Sequence, residues 1–143
     1  MKSTLIADTG YLVALANPRD QYHQHVVRIS RGLEGDLVTT WPVITETCHF
    51  LLRRVHPLAQ ASLLDKVIRG TIAVYPFSTE SLARIPFLIG KYVDLPMDLA
   101  DASLVILAEE LGHGNILSTD RRDFQAYRWK NHHPFKNLLF PED

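Results

Sequence analysis

The sequence predicts an α/β fold of three layers, α/β/α, with a mostly parallel central sheet. Short apolar and β-branched runs alternate with stretches of helical periodicity along the whole chain. Acids and turn residues follow several of these runs directly, as where a buried strand hands over to a helix. One segment, Met97–Glu110, is apolar nearly all round, which is the pattern of a buried helix.

In order, Thr4–Ala7 reads as a buried strand ending in Asp8, Thr9 and Gly10. Tyr11–Ala16 is helical and is stopped by Asn17-Pro18. Gln21–Leu33 places Val26, Val27, Ile29 and Leu33 near helical spacing, and Gly32 and Gly35 end it. Asp36–Trp41 is β-branched and aromatic, hence a second strand. After Pro42, Val43–Val55 is a helix, and Pro57–Ile68 is another, closed by Gly70. Thr71–Phe77 is a third strand. Thr79–Tyr92 is helical, with Pro86 set to kink or shorten it. The apolar helix follows and is ended by Gly112 and Gly114. Asn115–Thr119 is a fourth strand running straight into Asp120, Asp123–Tyr127 starts a short helix, and Phe135–Phe140 is a last edge strand.

The 143 residues suffice for one domain with a real core and are too few for two, so residues 1–143 are read as a single unit. A formal net charge of −1 gives no global field toward nucleic acid or a membrane. Cys48 is the lone cysteine, which rules out an intrachain disulfide and fits a reducing cytoplasm. The opening MKSTLIADTG carries an acid too early for a signal peptide, and no run approaches the roughly 20 apolar residues of a membrane span.

In parallel sheets ligands bind beyond the carboxyl ends of the strands. Asp8 and Asp120 stand at two such ends, Glu46 lies in the first turn of the helix after the second strand, and Asp101 opens the apolar helix. These four acids are expected at one edge, with Asp98 and Asp123 nearby. Each also has an ordinary reading: Asp98 or Asp101 caps its helix behind Pro96, and the hydroxyls of Thr9 and Thr119 serve either as caps or to orient a ligand. Four carboxylates within a few ångströms cannot all stay ionised unpaired. An oxygen-only donor set suits Mg²⁺ or Mn²⁺ over Zn²⁺, and such ions support phosphodiester hydrolysis.

At this point the residues resemble a family. LIADTGYLVAL, TETCHFLL, MDLADASLVILAEELG and ILSTDRRDF, in this order, look like the acidic motifs of PIN-domain ribonucleases, most of all the toxins of VapBC-type toxin–antitoxin pairs. The resemblance spans nearly the whole chain. It implies a PIN-like domain, usually homodimeric, that cuts RNA with Mg²⁺ or Mn²⁺ and is held by a small antitoxin protein. Asp8, Glu46 and Asp101 match the first three acids, and either Asp120 or Asp123 the fourth, with Asp120 ranked first because it directly ends its strand. Asp98 has no firm counterpart.

From Arg121 to Lys136 the cations Arg121, Arg122, Arg128, Lys130 and Lys136 are interleaved with aromatics, a pattern that holds single-stranded RNA by charge and stacking and equally describes a solvated face. Arg53 and Arg54 form a weaker basic candidate. His23 and His25 are two apart, do not face each other on a helix, and read as surface residues. Cys48 reads as packing. Tyr11, Leu12 and Phe50 are expected near the sheet edge, where a second subunit could cover them. Two rivals stand beside the nuclease reading. A phosphoacceptor receiver domain would need adjacent acids after the first strand and a lysine after the last, where this chain has Asp8-Thr9-Gly10 and Arg121. An inactive PIN-like module that only binds RNA or protein would not need the full set of acids.

Overall fold

The computed structural model describes residues 3–143; Met1 and Lys2, at the start of the segment read as lacking a leader, lie outside the described residues. The elements are β1 (Thr4–Ala7), α1 (Thr9–Ala16), α2 (His23–Arg31), β2 (Asp36–Thr39), α3 (Trp41–Arg54), α4 (Pro57–Ile68), β3 (Ile72–Val74), α5 (Thr79–Leu82), α6 (Ile85–Lys91), α7 (Leu99–Leu111), β4 (Asn115–Leu117), α8 (Arg121–Ala126), β5 (Arg128–Trp129), β6 (His133–Pro134) and β7 (Lys136–Asn137). The main sheet has the order β3-β2-β1-β4-β7, and all its pairs are parallel. β1 is central, with Leu5 opposite Leu37 and Ile6 opposite Ile116. Its Leu5, Ile6 and Ala7 are all buried, as expected of a strand covered on both faces. Helices flank the sheet, giving the three-layer α/β/α arrangement read from the sequence.

This strand order has one topological switch point. From β1 the chain builds outward through β2 to β3, then returns to lay β4 on the other side of β1. The crevice between the carboxyl ends of β1 and β4 is where such sheets bind ligands.

α7 is the buried helix the sequence describes: every residue from Ala102 to Ala108 is buried. It ends at Gly112, whose φ of 76° is the left-handed conformation that a glycine adopts without strain. A second anchor sets its height. The Thr40 hydroxyl caps α3 by accepting from Val43 N–H at 3.4 Å, and lies 2.7 Å from the Ser103 hydroxyl of α7. That bond ties the helix carrying Glu46 to the helix carrying Asp101.

Several boundaries move for local reasons. α1 begins at Thr9 because Asp8 is its N-cap, and α8 begins at Arg121 because Asp120 is its cap. β2 stops at Thr39, since Thr40 caps α3 and Pro42 fits its first turn. The stretch Thr79–Tyr92 divides into α5 and α6, with Pro86 in the first turn of the second, where its missing N–H leaves no hydrogen bond unmade. The expected edge strand over Phe135–Phe140 narrows to β7, parallel to β4. The antiparallel hairpin β5–β6 was not anticipated; Lys130 and Asn131 turn it with φ of 48° and 65°.

Two expectations are corrected. Tyr11 and Leu12 are each only 3% exposed, so they belong to the chain's own core and offer nothing to a second subunit. Phe50 is half-buried. His23 and His25 are half-buried as well: His23 Nδ1–H donates to the Ala14 carbonyl at 2.7 Å, and His25 Nε2–H to the Leu139 carbonyl at 2.6 Å. Both are structural ties between segments. Among the described residues, no helix is long and apolar enough to cross a membrane.

Candidate active site

A cleft of about 580 Å³ opens at the switch point, and Asp8, Glu46, Asp98, Asp101, Asp120 and Asp123 all line it, with Thr9 and Thr119. The acids expected at one edge therefore share one cavity. The reason is local. Where a parallel strand ends and a helix starts, the residue between them is the helix N-cap, and it stands at the rim of the sheet. Asp8 and Asp120 hold that position after β1 and close behind β4, and Asp98 caps α7 by accepting from Asp101 N–H at 2.8 Å. Capping and facing the cleft are thus the same geometry, and the two readings of these acids do not compete.

Asp8 is the most confined. It is 5% exposed, and its carboxylate accepts from Thr9 N–H and from the Ser118 hydroxyl, each at 2.7 Å. Ser118 Oγ also accepts from Asp120 N–H at 2.9 Å. The Ser118 backbone is gripped in turn: Asn137 Nδ2–H donates to its carbonyl at 2.8 Å, and Asn137 Oδ1 accepts from its N–H at 3.3 Å. Burial pushes the Asp8 pKa up to about 6, against the two hydrogen bonds that lower it.

Asp101 is half-buried at the first turn of α7. The hydroxyl of the fully buried Tyr127 donates to its Oδ2 at 3.3 Å. Burial, then the charges of Asp98, Asp8 and Asp120, raise its pKa to about 8. Asp120 is raised to about 7 by burial, then by its hydrogen bond to Asp123 and that neighbour's charge. Asp120 and Asp123 are both at the cleft, the former also accepting from the latter's N–H at 3.4 Å. Asp123 also lies 3.3 Å from Arg122 Nε on the exposed side.

Among the described residues no cation pairs with Asp8, Asp101 or Asp120. Arg54 is, among the described residues, the one basic residue that lines the cleft, and it lies over the Phe50 ring at 4.4 Å. The Thr9 hydroxyl is buried without a hydrogen-bond partner. Gly10 keeps the wall open, because a side chain there would strike the Thr119 hydroxyl. Among the described residues no three His, Cys, Asp or Glu side chains form a ready-made metal cage. Chemically the donor set still fits a hard divalent ion. It is all oxygen, it carries excess negative charge, and Mg²⁺ is commonly held through one or two carboxylates while its waters fill the other positions.

The five cations of the segment from Arg121 to Lys136 are placed elsewhere, and none lines the cleft. Arg121 pairs with Asp143 and lies over the Phe140 ring at 4.2 Å. Arg128 Nη1 donates to the carbonyls of Gln125, Ala126 and Tyr127, closing the end of α8. Lys130 N–H donates to Glu109 at 2.6 Å, toward the far end of α7. Ser118, Tyr127 and Asn137 are the supporting residues that the sequence reading passed over. Ser118 could have been suspected from its place between β4 and Asp120. Asn137 and Tyr127 give no local signal, since only the tertiary fold brings them to the site.

The profile of the PIN domain family matches residues 5–130, and the chain belongs to that family. It is similar to ribonuclease VapC26 of Mycobacterium tuberculosis, at 27% identity over 124 residues, covering 87% of this chain and 92% of that protein. Its fold matches the crystal structure of Mycobacterium tuberculosis VapC20, described as a sarcin–ricin-loop-cleaving toxin. The TM-score is 0.76 at 18% identity, over 81% of this chain and 89% of the other.

Proposed function

We propose that this PIN-domain chain is a Mg²⁺- or Mn²⁺-dependent endoribonuclease acting in the cytoplasm as the toxin of a type II toxin–antitoxin pair, with a small antitoxin protein as its cognate partner. The observation that carries the chemistry is the cleft in which burial and mutual repulsion raise Asp8, Asp101 and Asp120 together, while among the described residues the one cation lining it, Arg54, lies over the Phe50 ring. Likeness to ribonuclease VapC26 supports RNA as the substrate, and the resemblance of the acidic motifs to the toxins of VapBC-type pairs supports the toxin role.

In this reading Asp8, Glu46, Asp101 and Asp120 hold the ion, with Asp123 beside Asp120. When bound, the ion supplies an activated water and charge stabilisation for phosphodiester hydrolysis. The chain's own residues set the stage for that chemistry. Ser118 and Thr9 N–H fix the Asp8 carboxylate, Asn137 fixes Ser118, and Tyr127 steadies Asp101. The free Thr9 hydroxyl and the Thr119 hydroxyl stand beside Asp8 and Asp120, where they can orient water.

The test is cleavage of a fluorogenic RNA with Mg²⁺, with Mn²⁺ and with EDTA, followed by analysis of the product ends. We expect activity with either metal, none in EDTA, and 5′-phosphate ends. Full activity in EDTA, or 2′,3′-cyclic phosphate products, refutes the mechanism. No cleavage under any condition favours an inactive RNA- or protein-binding module. Expression alone should slow growth, and a neighbouring gene for a small DNA-binding protein should relieve it. A homodimer is part of the same reading; the exposed Trp41, Leu82 and Leu99, which line one apolar groove, support it in place of Tyr11 and Leu12. Sedimentation at micromolar concentration tests it, and a clean monomer overturns it.

A further inference from the structure

Three residues of α3 line the cleft, and they stand in one row: Glu46, Phe50 and Arg54. Spaced by four, they share a helix face, each about 6 Å further along the axis than the last. The row changes chemistry as it leaves the acids. Glu46 is a carboxylate at the inner end, Phe50 is an aromatic ring, and Arg54 is a cation over that ring at 4.4 Å. Among the described residues Arg54 has no ion pair with a carboxylate, whereas Arg121 is paired. An anionic substrate approaching this cleft meets seven acids, Asp20 included, and among the described residues Arg54 is the one cation on its wall.

Resting on the nuclease reading above, we propose that Phe50 and Arg54 form a nucleotide subsite beside the reacting phosphate: Phe50 stacks on a base of single-stranded RNA and Arg54 binds the neighbouring phosphate. Stacking on one aromatic ring and a single phosphate contact are the elementary units of single-strand recognition, and neither requires a particular sequence. The helix axis then sets the direction in which the strand leaves the acids. Arg54 also sits in the last turn of α3, where it favours the helix dipole. Arg53 shares that position and does not line the cleft, so it separates the two roles.

The experiment measures binding of a short randomised single-stranded RNA by fluorescence anisotropy, with calcium in place of magnesium, over a range of salt. Wild type, Arg53→Gln, Arg54→Gln, Phe50→Leu and Phe50→Tyr are compared, with thermal melts to establish that each folds. Arg54→Gln should weaken binding and flatten the log–log salt slope by about 0.7, the share of one phosphate on a single strand. Phe50→Leu should weaken binding about tenfold with the salt slope unchanged, and Phe50→Tyr should restore it. In cleavage these losses should appear in KM, with kcat held within about twofold. Equal effects of Arg53→Gln and Arg54→Gln overturn the subsite, as does a Phe50→Leu loss that tyrosine does not restore. The binding arm stands apart from catalysis. Absence of cleavage by the wild type removes the nuclease reading alone, while normal cleavage with unmoved binding in both cleft variants removes the subsite alone.

Discussion

The two ends of α7 treat carboxylates in opposite ways. At its C-terminal end Glu109 is 12% exposed in its side chain and is answered on both oxygens: Arg84 Nη2 donates to Oε2 at 3.0 Å, Arg84 Nε stands 2.9 Å from Oε1 but off the hydrogen-bond line, and Lys130 N–H adds a third contact. At its N-terminal end Asp101 has one long bond from a phenol and three carboxylates around it. The same helix, in the same fold, satisfies one acid and leaves the other frustrated. A fold able to build the first arrangement has no structural need of the second, and the proposed ion-holding role gives the unbalanced charge a reason.

The largest effect expected from breaking this contrast is at Asp101. Asp101→Asn should lower RNA cleavage at least about a hundredfold if, as proposed, this carboxylate holds the ion. Its metal-free melting temperature should stay level or rise, because one repelling charge has gone. Wild type in Mg²⁺ at about ten times the dissociation constant should gain roughly 1.4 kcal/mol, near 5 °C for a domain of this size, and the variant much less. A variant that melts lower, responds to Mg²⁺ as wild type does and still cuts RNA would reduce Asp101 to a helix-terminal acid.

Next in size is the mirror experiment. Arg84→Ala strips Glu109 of its cation and should cost about 1.5 kcal/mol, again near 5 °C, with cleavage unchanged. A variant as stable as wild type would show that Glu109 needs no partner and would erase the contrast.

A smaller effect is the pH dependence. Asp8, Asp101 and Asp120 have folded values of about 6, 8 and 7, all above the ordinary 3.8. The folded protein therefore holds more protons than the unfolded chain between about pH 4 and 8, and stability falls as pH rises through that window. The contribution is fully present below the unfolded pKa and is lost by the highest folded one. Melts in EDTA should decline from pH 5 to pH 8, and Mg²⁺ should flatten the decline. A metal-free melting temperature that rises over this range would reverse the sign and contradict the charge frustration.

The smallest change expected is at Arg128. Arg128→Ala should lower stability by about 0.5–1 kcal/mol through loss of its bonds to the carbonyls at the end of α8. RNA affinity should be unmoved, and a loss of affinity would return this arginine to the RNA-contacting surface expected from its sequence context.

What was legible in the sequence was whatever repeats locally. The apolar circumference of α7, the β-branched run of β2 and the acid directly behind β1 are properties of neighbouring residues, and each maps onto its element. The convergence of Asp8, Glu46, Asp101 and Asp120 was legible too, because in a parallel sheet every strand hands over to its helix on the same edge. Side-chain pairings across the fold were not. Nothing near Arg121 announces Asp143, and nothing near Asn137 announces Ser118. The apolar Tyr11 and Leu12 look alike whether they face a core or a partner, and only the packing of α1 against α3 decides it. For the same reason the basic and aromatic letters after Arg121 suggested a nucleic-acid surface, when several of them close a helix and turn a hairpin.

The clamp on Asp8 has a consequence for the order in which the protein is made. Its donor, Ser118, lies 110 residues further along the chain, and the amide that holds Ser118 is on β7, at Asn137. A ribosome delivers residues from the N-terminus onward, and pairing β1 with β4 has to close a very long loop. A nascent chain that has exposed Asp8, Glu46 and even Asp101 still lacks both Ser118 and its anchor. In an unfinished copy Asp8 therefore lacks its hydroxyl donor until residue 118, and that donor its anchor until residue 137, has left the exit tunnel.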